Sequence, residues 1–254
     1  PPVTGLPEPF GYRTRLLMPA TPGRGTSPGS PPIDFGFYGR GTTKLIPAPG
    51  CPVQHPLTLS TLAHIKQALA DTRITATKPG TKRGWLHGLA LRVDPQSGRI
   101  QVTLIGRNKK MPGGKLLTER LLALPGINGI HLSINPERSS YLMGETFVHL
   151  AGHRRTGFHL GGEKFLLSPG SFFQTSAAGA ELLVAQVLDA LPDQIDCLAD
   201  LYGGVGVFSR LSRKKWDKAI IAESSPWAIG DLRHWLKSQP RTSIKVYEGR
   251  VESV

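Results

Sequence analysis

The strongest constraint on the fold lies toward the C-terminal end of the chain. Cys197-Leu198-Ala199-Asp200-Leu201 is a short apolar run that passes into Tyr202-Gly203-Gly204-Val205-Gly206, and Val207–Leu211 then starts a helix. Glycines at a strand-to-helix turn let the backbone approach a ligand, and the helix start offers unpaired N–H groups. The flanks keep the alternation. Ala177–Leu191 reads as a helix with Leu183, Val184, Val187, Leu188 and Leu191 on one stripe. Ala219–Ala222 is a buried strand ending at Glu223, Pro226–Lys237 a helix, and Ser243–Tyr247 a third strand. A β-α-β-α-β order opens a doubly wound parallel sheet.

Glu223 lies 17 residues past Gly206, at the end of the second strand. A carboxylate there suits the two hydroxyls of a ribose. Glycine turn and acid together form an adenosine half-site. A dinucleotide fingerprint asks for a third glycine at position 209, where the chain has Ser209. The spacing Asp200-x-x-x-Gly204-x-Gly206 fits S-adenosylmethionine enzymes instead. A tight turn without any ligand is the structural alternative.

The pattern before Gly170 is different. Tyr12–Met18 and Ile33–Tyr38 read as a hairpin with a Gly/Pro/Ser connection at 21–32, and Lys44–Ile46 as a further strand. A helix over Leu57–Ala70 buries Leu62, Ile65 and Leu69, with Pro56 at its first turn. Leu86–Val93 and Arg99–Arg107 form a hairpin with one largely polar face. A helix at Leu116–Ala123 and strands at Ile127–Asn135 and Phe147–Ala151 follow. The fold class is therefore α/β plus α+β: a mostly antiparallel module at 1–165, then the opening of a Rossmann-like domain at 166–254.

Charge follows the same division. Residues 1–165 carry 21 Lys and Arg against 8 Asp and Glu, whereas 166–254 carry 10 of each. The whole excess of +13 sits in the first part and calls for a polyanion, nucleic acid first, because each phosphate contact releases counterions. The candidate contacts are Arg13, Arg15, Arg40, Lys82, Arg83, Arg107, Lys109, Lys110, Arg154 and Arg155. No basic amphipathic helix points to a membrane surface.

Other classes drop out. At 254 residues the chain makes one or two domains with a real core. No apolar run approaches the ~18 residues of a spanning helix. The first residues show no secretory signal and no initiator Met, which suggests a processed or excised chain. Two cysteines, Cys51 and Cys197, make neither a disulfide framework nor a zinc site, so a cytoplasmic protein is expected. The eight histidines, His131, His149, His153 and His159 among them, show no metal spacing and read as surface or RNA-facing residues.

Several segments, in order, resemble the bacterial S-adenosylmethionine-dependent RNA uracil-C5 methyltransferases, which form 5-methyluridine in ribosomal or transfer RNA. They are Gly11–Arg15, Gly36-Phe37-Tyr38, Gly50–Pro56, Ser133-Ile134-Asn135-Pro136, Ser168–Thr175, Ala180-Glu181 and Asp200–Gly206. The resemblance implies a class I methyltransferase domain beginning near 166, an RNA-facing central module before it, and a monomeric full-length protein. It also implies S-adenosylmethionine held by Gln174, Asp200, Tyr202, Gly204, Gly206 and Glu223, with RNA, ribosomal rather than transfer, as the partner. Phe172 and Phe173 read as core.

The match has gaps. The family attacks C6 of uracil with a Cys of a Cys-Asn-Pro segment, and neither Cys51-Pro52 nor Cys197 is such a segment. The chain thus looks like a fragment without the catalytic half, with no catalytic residue of its own, an open sheet edge and no methyl transfer alone. In one branch the counterpart of Cys51 is the fourth ligand of an iron–sulfur cluster. The other three ligands are absent, so Cys51 reads as a small buried cysteine and no cluster is expected. Gly203 replaces the more usual small side chain. Two other readings stay open: a non-catalytic RNA-binding module, and a nicotinamide-dependent oxidoreductase with the same strand–turn–acid geometry.

Overall fold

The computed structural model describes residues 3–23, 33–42, 44–70, 72–78, 81, 83–136, 141–239 and 243–253. Most of the connection at 21–32, and Lys82, lie outside them. The chain divides into a unit at 8–156 and a unit formed by 1–7 and 157–254. The division falls at Thr156/Gly157 rather than at 165. The short hairpin that accounts for the shift escaped sequence reasoning, because its strands are only five residues long.

The first, basic unit carries 20 Lys and Arg against 7 Asp and Glu. Its elements are β1 (Arg15–Pro22), β2 (Ile33–Tyr38), β3 (Leu45–Pro47), α1 (Pro56–Ala70), β4 (Leu86–Asp94), β5 (Arg99–Gly106), α2 (Gly114–Leu122), β6 (Ile127–Ile134) and β7 (Thr146–Gly152). The seven strands form one sheet, ordered β3-β2-β1-β4-β5-β6-β7. Neighbours are antiparallel except β5 and β6, which α2 connects as a parallel crossover. Leu62, Ile65 and Leu69 of α1 and Leu117 and Leu121 of α2 join Leu89, Leu91, Val102, Leu104, Ile130 and Leu132 in one core. Each such side chain contributes about 2 kcal/mol by leaving water.

The opposite face corrects an expectation. The polar side of the β4–β5 hairpin is not a solvated one: Gln101 and Thr103 are both buried, as are Arg92 and His131. The register sets Arg15, Arg92, Gln101 and Gly129 in one row, and Leu17, Ala90, Thr103, His131 and His149 in the next. Arg92 Nη1 donates to Gln101 Oε1 at 3.2 Å, and the His131 and His149 rings lie 5.5 Å apart. Alternation reports polarity, and polar side chains that bond one another can be buried. His131 is accordingly no surface residue. Burial, then the charges of His149, Arg92 and Arg154, push its pKa down to about 4.

The second unit holds 11 Lys and Arg against 11 Asp and Glu. The strands β8 (Thr156–Leu160) and β9 (Glu163–Leu167) pair with each other. They are followed by α3 (Ala177–Ala190), β10 (Ile195–Leu201), α4 (Val207–Leu211), β11 (Trp216–Glu223), α5 (Pro226–Leu236) and β12 (Ile244–Glu248). The last three strands form a parallel sheet, ordered β10-β11-β12, the opening of a doubly wound fold. Ser176 caps α3 and Ser225 caps α5, with Pro226 in the first turn. Only Ala180 and Val184 of α3 are buried. Leu183, on the expected apolar stripe, is exposed.

Candidate functional site

The site is built at the tips of two adjacent strands. In the parallel register of β10 and β11, Asp200 lies opposite Ile221 and Leu201 opposite Ala222, and Gly203 N–H extends the ladder to Ala222 O at 3.1 Å. The Gly-rich turn leaves β10 where β11 ends at Glu223. Gly204 and Gly206 have φ of +58° and +77°, a conformation that side chains rarely adopt. Gly203 has no room for a side chain, because a Cβ would lie 2.6 Å from Ile221 Cγ2.

Glu223 closes the turn. Its Oε2 accepts from Gly204 N–H at 2.8 Å, and its Oε1 accepts from Ser224 and Ser225 N–H, each at 2.7 Å. A carboxylate has about four lone-pair positions, so the backbone contacts leave one on Oε2. Asp200 acts inward. It is buried, and its Oδ2 accepts from Ser209 N–H at 3.1 Å and from Ser209 Oγ. Burial, reinforced by the charge of Glu223, raises the Asp200 pKa against the opposing Ser209 bonds. Ser209, the residue that breaks the dinucleotide fingerprint, is the one that clamps Asp200 to α4.

Tyr202 is the one non-glycine residue with positive φ, at 57°, among the described residues. Its ring is exposed, and its hydroxyl donates to Glu252 Oε1 at 2.6 Å. Because Tyr202 follows β10 and Glu252 follows β12, this bond straps across the end of the middle strand, where Glu223 sits. The bond raises the Tyr202 pKa and lowers that of Glu252. Linear spacing marks neither Glu252, whose contact with Tyr202 spans 50 residues, nor the bond from Ser209 back to Asp200.

The segment Ser168–Thr175 is pinned to α5. Ser168 N–H and Oγ donate to Asp231 at 2.6 Å each, and Ser171 Oγ donates to Asp231 at 2.5 Å. Gly170 lies against Trp227, where a Cβ would come within 2.5 Å of the ring. The next residues put Phe173 into the core that also holds Val205 of the glycine turn. Gln174, next in sequence, is half-buried and makes no side-chain hydrogen bond among the described residues. Phe172 departs from its expected core role and is 60% exposed.

The proposed RNA contacts do not gather in one place. From the registers, Arg13 and Arg15 at the start of β1, Arg40 after β2, and Arg154 and Arg155 after β7 share one end of the basic sheet. Lys109 and Lys110, after β5, stand at the other end. Cys51 is half-buried rather than buried, and Cys197 is exposed on β10. No cluster of metal-binding side chains occurs among the described residues.

A parallel βαβ unit with a glycine turn and a strand-end acid is the opening of a doubly wound α/β fold. No protein-family model matches the chain. A Halalkalibacterium halodurans protein named an uncharacterized RNA methyltransferase is 27% identical over 259 residues, covering 100% of this chain and 54% of the relative. A Synechocystis protein of the same description is 26% identical over 255 residues, with the same coverage. The crystal structure of Pyrococcus abyssi tRNA (uracil-54, C5)-methyltransferase in complex with S-adenosyl-L-homocysteine superposes with a TM-score of 0.74 at 21% identity, over 95% of this chain and 56% of that one. The chain is thus similar along its whole length to RNA methyltransferases, as its motifs led us to expect, and has the fold of one. It spans about half the length of the curated relatives it matches.

Proposed function

We propose that the chain binds S-adenosylmethionine at the tips of β10 and β11 and engages RNA through its basic unit, as part of an RNA uracil-C5 methyltransferase. The observation that carries this reading is Glu223, fixed by Gly204 N–H at the mouth of an open glycine turn. Its spare lone pair suits a ribose hydroxyl. Gly204 and Gly206 let the backbone come close, Gln174 offers an unspent amide, and Tyr202 offers an exposed ring held by Glu252. Asp200 acts through the turn it anchors. The bound cofactor supplies an electrophilic methyl group on a sulfonium.

The acceptor is a uridine of ribosomal or transfer RNA. Neither thiol of the 254 residues matches the Cys-Asn-Pro nucleophile: Cys51 precedes Pro52, and Cys197 lies within β10 opposite Lys218. This chain alone therefore binds cofactor and RNA without methylating uridine. Labelled methyl appearing in RNA incubated with the purified chain would refute that part. The cofactor assignment is tested by calorimetry: S-adenosylhomocysteine binds and NADH does not. The reverse result would favour the oxidoreductase.

A further inference from the structure

The basic unit contains a cavity of about 620 Å³ whose lining includes one of the expected RNA contacts, Arg15. It is lined by Arg15 and Leu17 of β1, by Asn135 after β6, and by Tyr141, Met143 and Glu145 of the segment leading into β7. That segment is seated firmly. Asn135 Nδ2 donates to Tyr141 O at 2.8 Å and to Leu142 O at 3.0 Å, and Gly144 N–H donates to Ser133 Oγ at 2.9 Å. Leu142 lies over Gly88, where a Cβ would meet its Cδ2 at 2.9 Å, and Gly144 lies against Ile134 O with no room for a side chain. These bonds account for Ser133-Ile134-Asn135-Pro136, a motif that the cofactor site leaves unexplained.

Arg15 is the unusual member. It is half-buried, and its single hydrogen-bonding contact among the described residues is Met143 Sδ at 3.7 Å. Glu145 shares the cavity but makes no ion pair with it. Burial, then the charge of Arg13, another cation, disfavours its charged form. A guanidinium held partly out of water and repelled by a second cation, with a thioether as its one acceptor among the described residues, is stabilised by an incoming anion. The anion that also suits the rest of the lining carries a flat group, because the Tyr141 ring is 81% exposed at the rim. The volume is that of a small-ligand site.

We infer that this cavity is a single-nucleotide subsite for unpaired RNA, with a backbone phosphate on Arg15, a base against Tyr141 and a sugar or base donor facing Glu145. Stacking on aromatic rings and phosphate contacts are how single strands are held. The inference rests on the reading that the basic unit engages RNA, and it adds where one nucleotide sits.

The test measures binding of a fluorescent eight-nucleotide oligouridylate to the 254-residue chain over a range of salt. Arg15→Gln weakens binding about 10-fold, and the log–log salt slope becomes shallower by ~0.7, the value for one phosphate on a single strand. Tyr141→Ala weakens binding about 10-fold and leaves the slope unchanged. Arg15→Lys restores the slope but not the full affinity. Tyr141 is exposed, so its variant keeps the wild-type unfolding midpoint. If both variants bind within 2-fold of wild type, the subsite is wrong. If the wild-type chain binds S-adenosylhomocysteine but no oligouridylate, the subsite falls and the cofactor reading stands. If S-adenosylhomocysteine fails to bind while Arg15→Gln still loses RNA, the subsite stands and the cofactor reading falls.

Discussion

The two units place their polar groups in opposite ways. The basic unit buries polar side chains on a wide sheet: β4 is buried at every position, and Arg92, Gln101, Thr103 and His131, on the face opposite the apolar core, are buried as well. The second unit keeps a narrow sheet whose edge strand β10 exposes Cys197, Ala199 and Leu201, and collects its polar groups at one end. Polar groups spread across a face serve packing and bind one another. Polar groups gathered at strand tips, where backbone amides are also unpaired, can serve a ligand.

The sharpest break in that contrast is Arg210, a buried guanidinium paired with the partly exposed Glu163. Its guanidinium lies 3.7 Å over the Phe165 ring and 4.5 Å from the Trp235 ring, and donates to Glu163 Oε2 at 2.9 and 3.2 Å and to Lys164 O at 2.9 Å. Arg210→Ala removes the packing and leaves Lys164 O unmatched, while the partly exposed Glu163 regains water, a loss of about 3.5 kcal/mol. Hydrogen exchange should speed up in β9 and α5 and stay unchanged in β4 and β5. Equal acceleration in both regions would show that the units unfold together.

Acid should single out the other unit. The pKa of His131 falls from 6.5 to about 4 on folding, chiefly through burial. Between those values the unfolded chain takes up the proton first, so stability falls as pH drops from 6.5 to about 4 and levels off below. The full loss is about 3 kcal/mol. His131→Leu should flatten this part of a urea-midpoint profile, and an unchanged profile would assign the acid sensitivity to other groups.

Function should separate as stability does. Glu223→Ala removes the acid at the turn and should weaken S-adenosylhomocysteine about 100-fold by calorimetry, under 3 kcal/mol. Oligouridylate affinity should stay within 2-fold. A parallel loss of RNA binding would mean that the charge difference between the units does not mark a division of labour.

These contrasts also show which parts of the molecule the sequence could announce. Local signals sufficed for the parallel sheet, because Asp200, the glycine turn and Glu223 follow one another within a βαβ unit. Leu62, Ile65 and Leu69 were legible for the same reason, as 3.6-residue periodicity is local. What failed depends on contacts distant in sequence. Gln101 and Thr103 lie between neighbours on two other strands, β4 and β6, Phe172 is exposed beside a segment pinned through Ser168 and Ser171 to Asp231, and Glu252 meets Tyr202 only because β12 pairs next to β11. The charge division was readable because counting needs no geometry. Which arginine lacks an acid needs the fold.

The smallest expected effect is the most informative about the turn itself. Burial raises the pKa of Asp200 above its ordinary 3.8, so the folded chain holds this proton more tightly than the unfolded one. The associated stability is present at acid pH and is lost as pH rises from 3.8 through the folded-state value. Burial thus disfavours the ionised carboxylate, and the use of Asp200 is as an acceptor for Ser209 N–H and Oγ. Asp200→Asn keeps a carbonyl acceptor without the charge and should change neutral-pH stability by less than about 1 kcal/mol, while Asp200→Ala loses both bonds and costs about 2 kcal/mol. S-adenosylhomocysteine affinity should follow the same order, barely altered in the first variant and reduced in the second. If Asp200→Asn instead loses the ligand while keeping its stability, the carboxylate charge acts on the ligand directly, and Asp200 is a contact rather than an anchor.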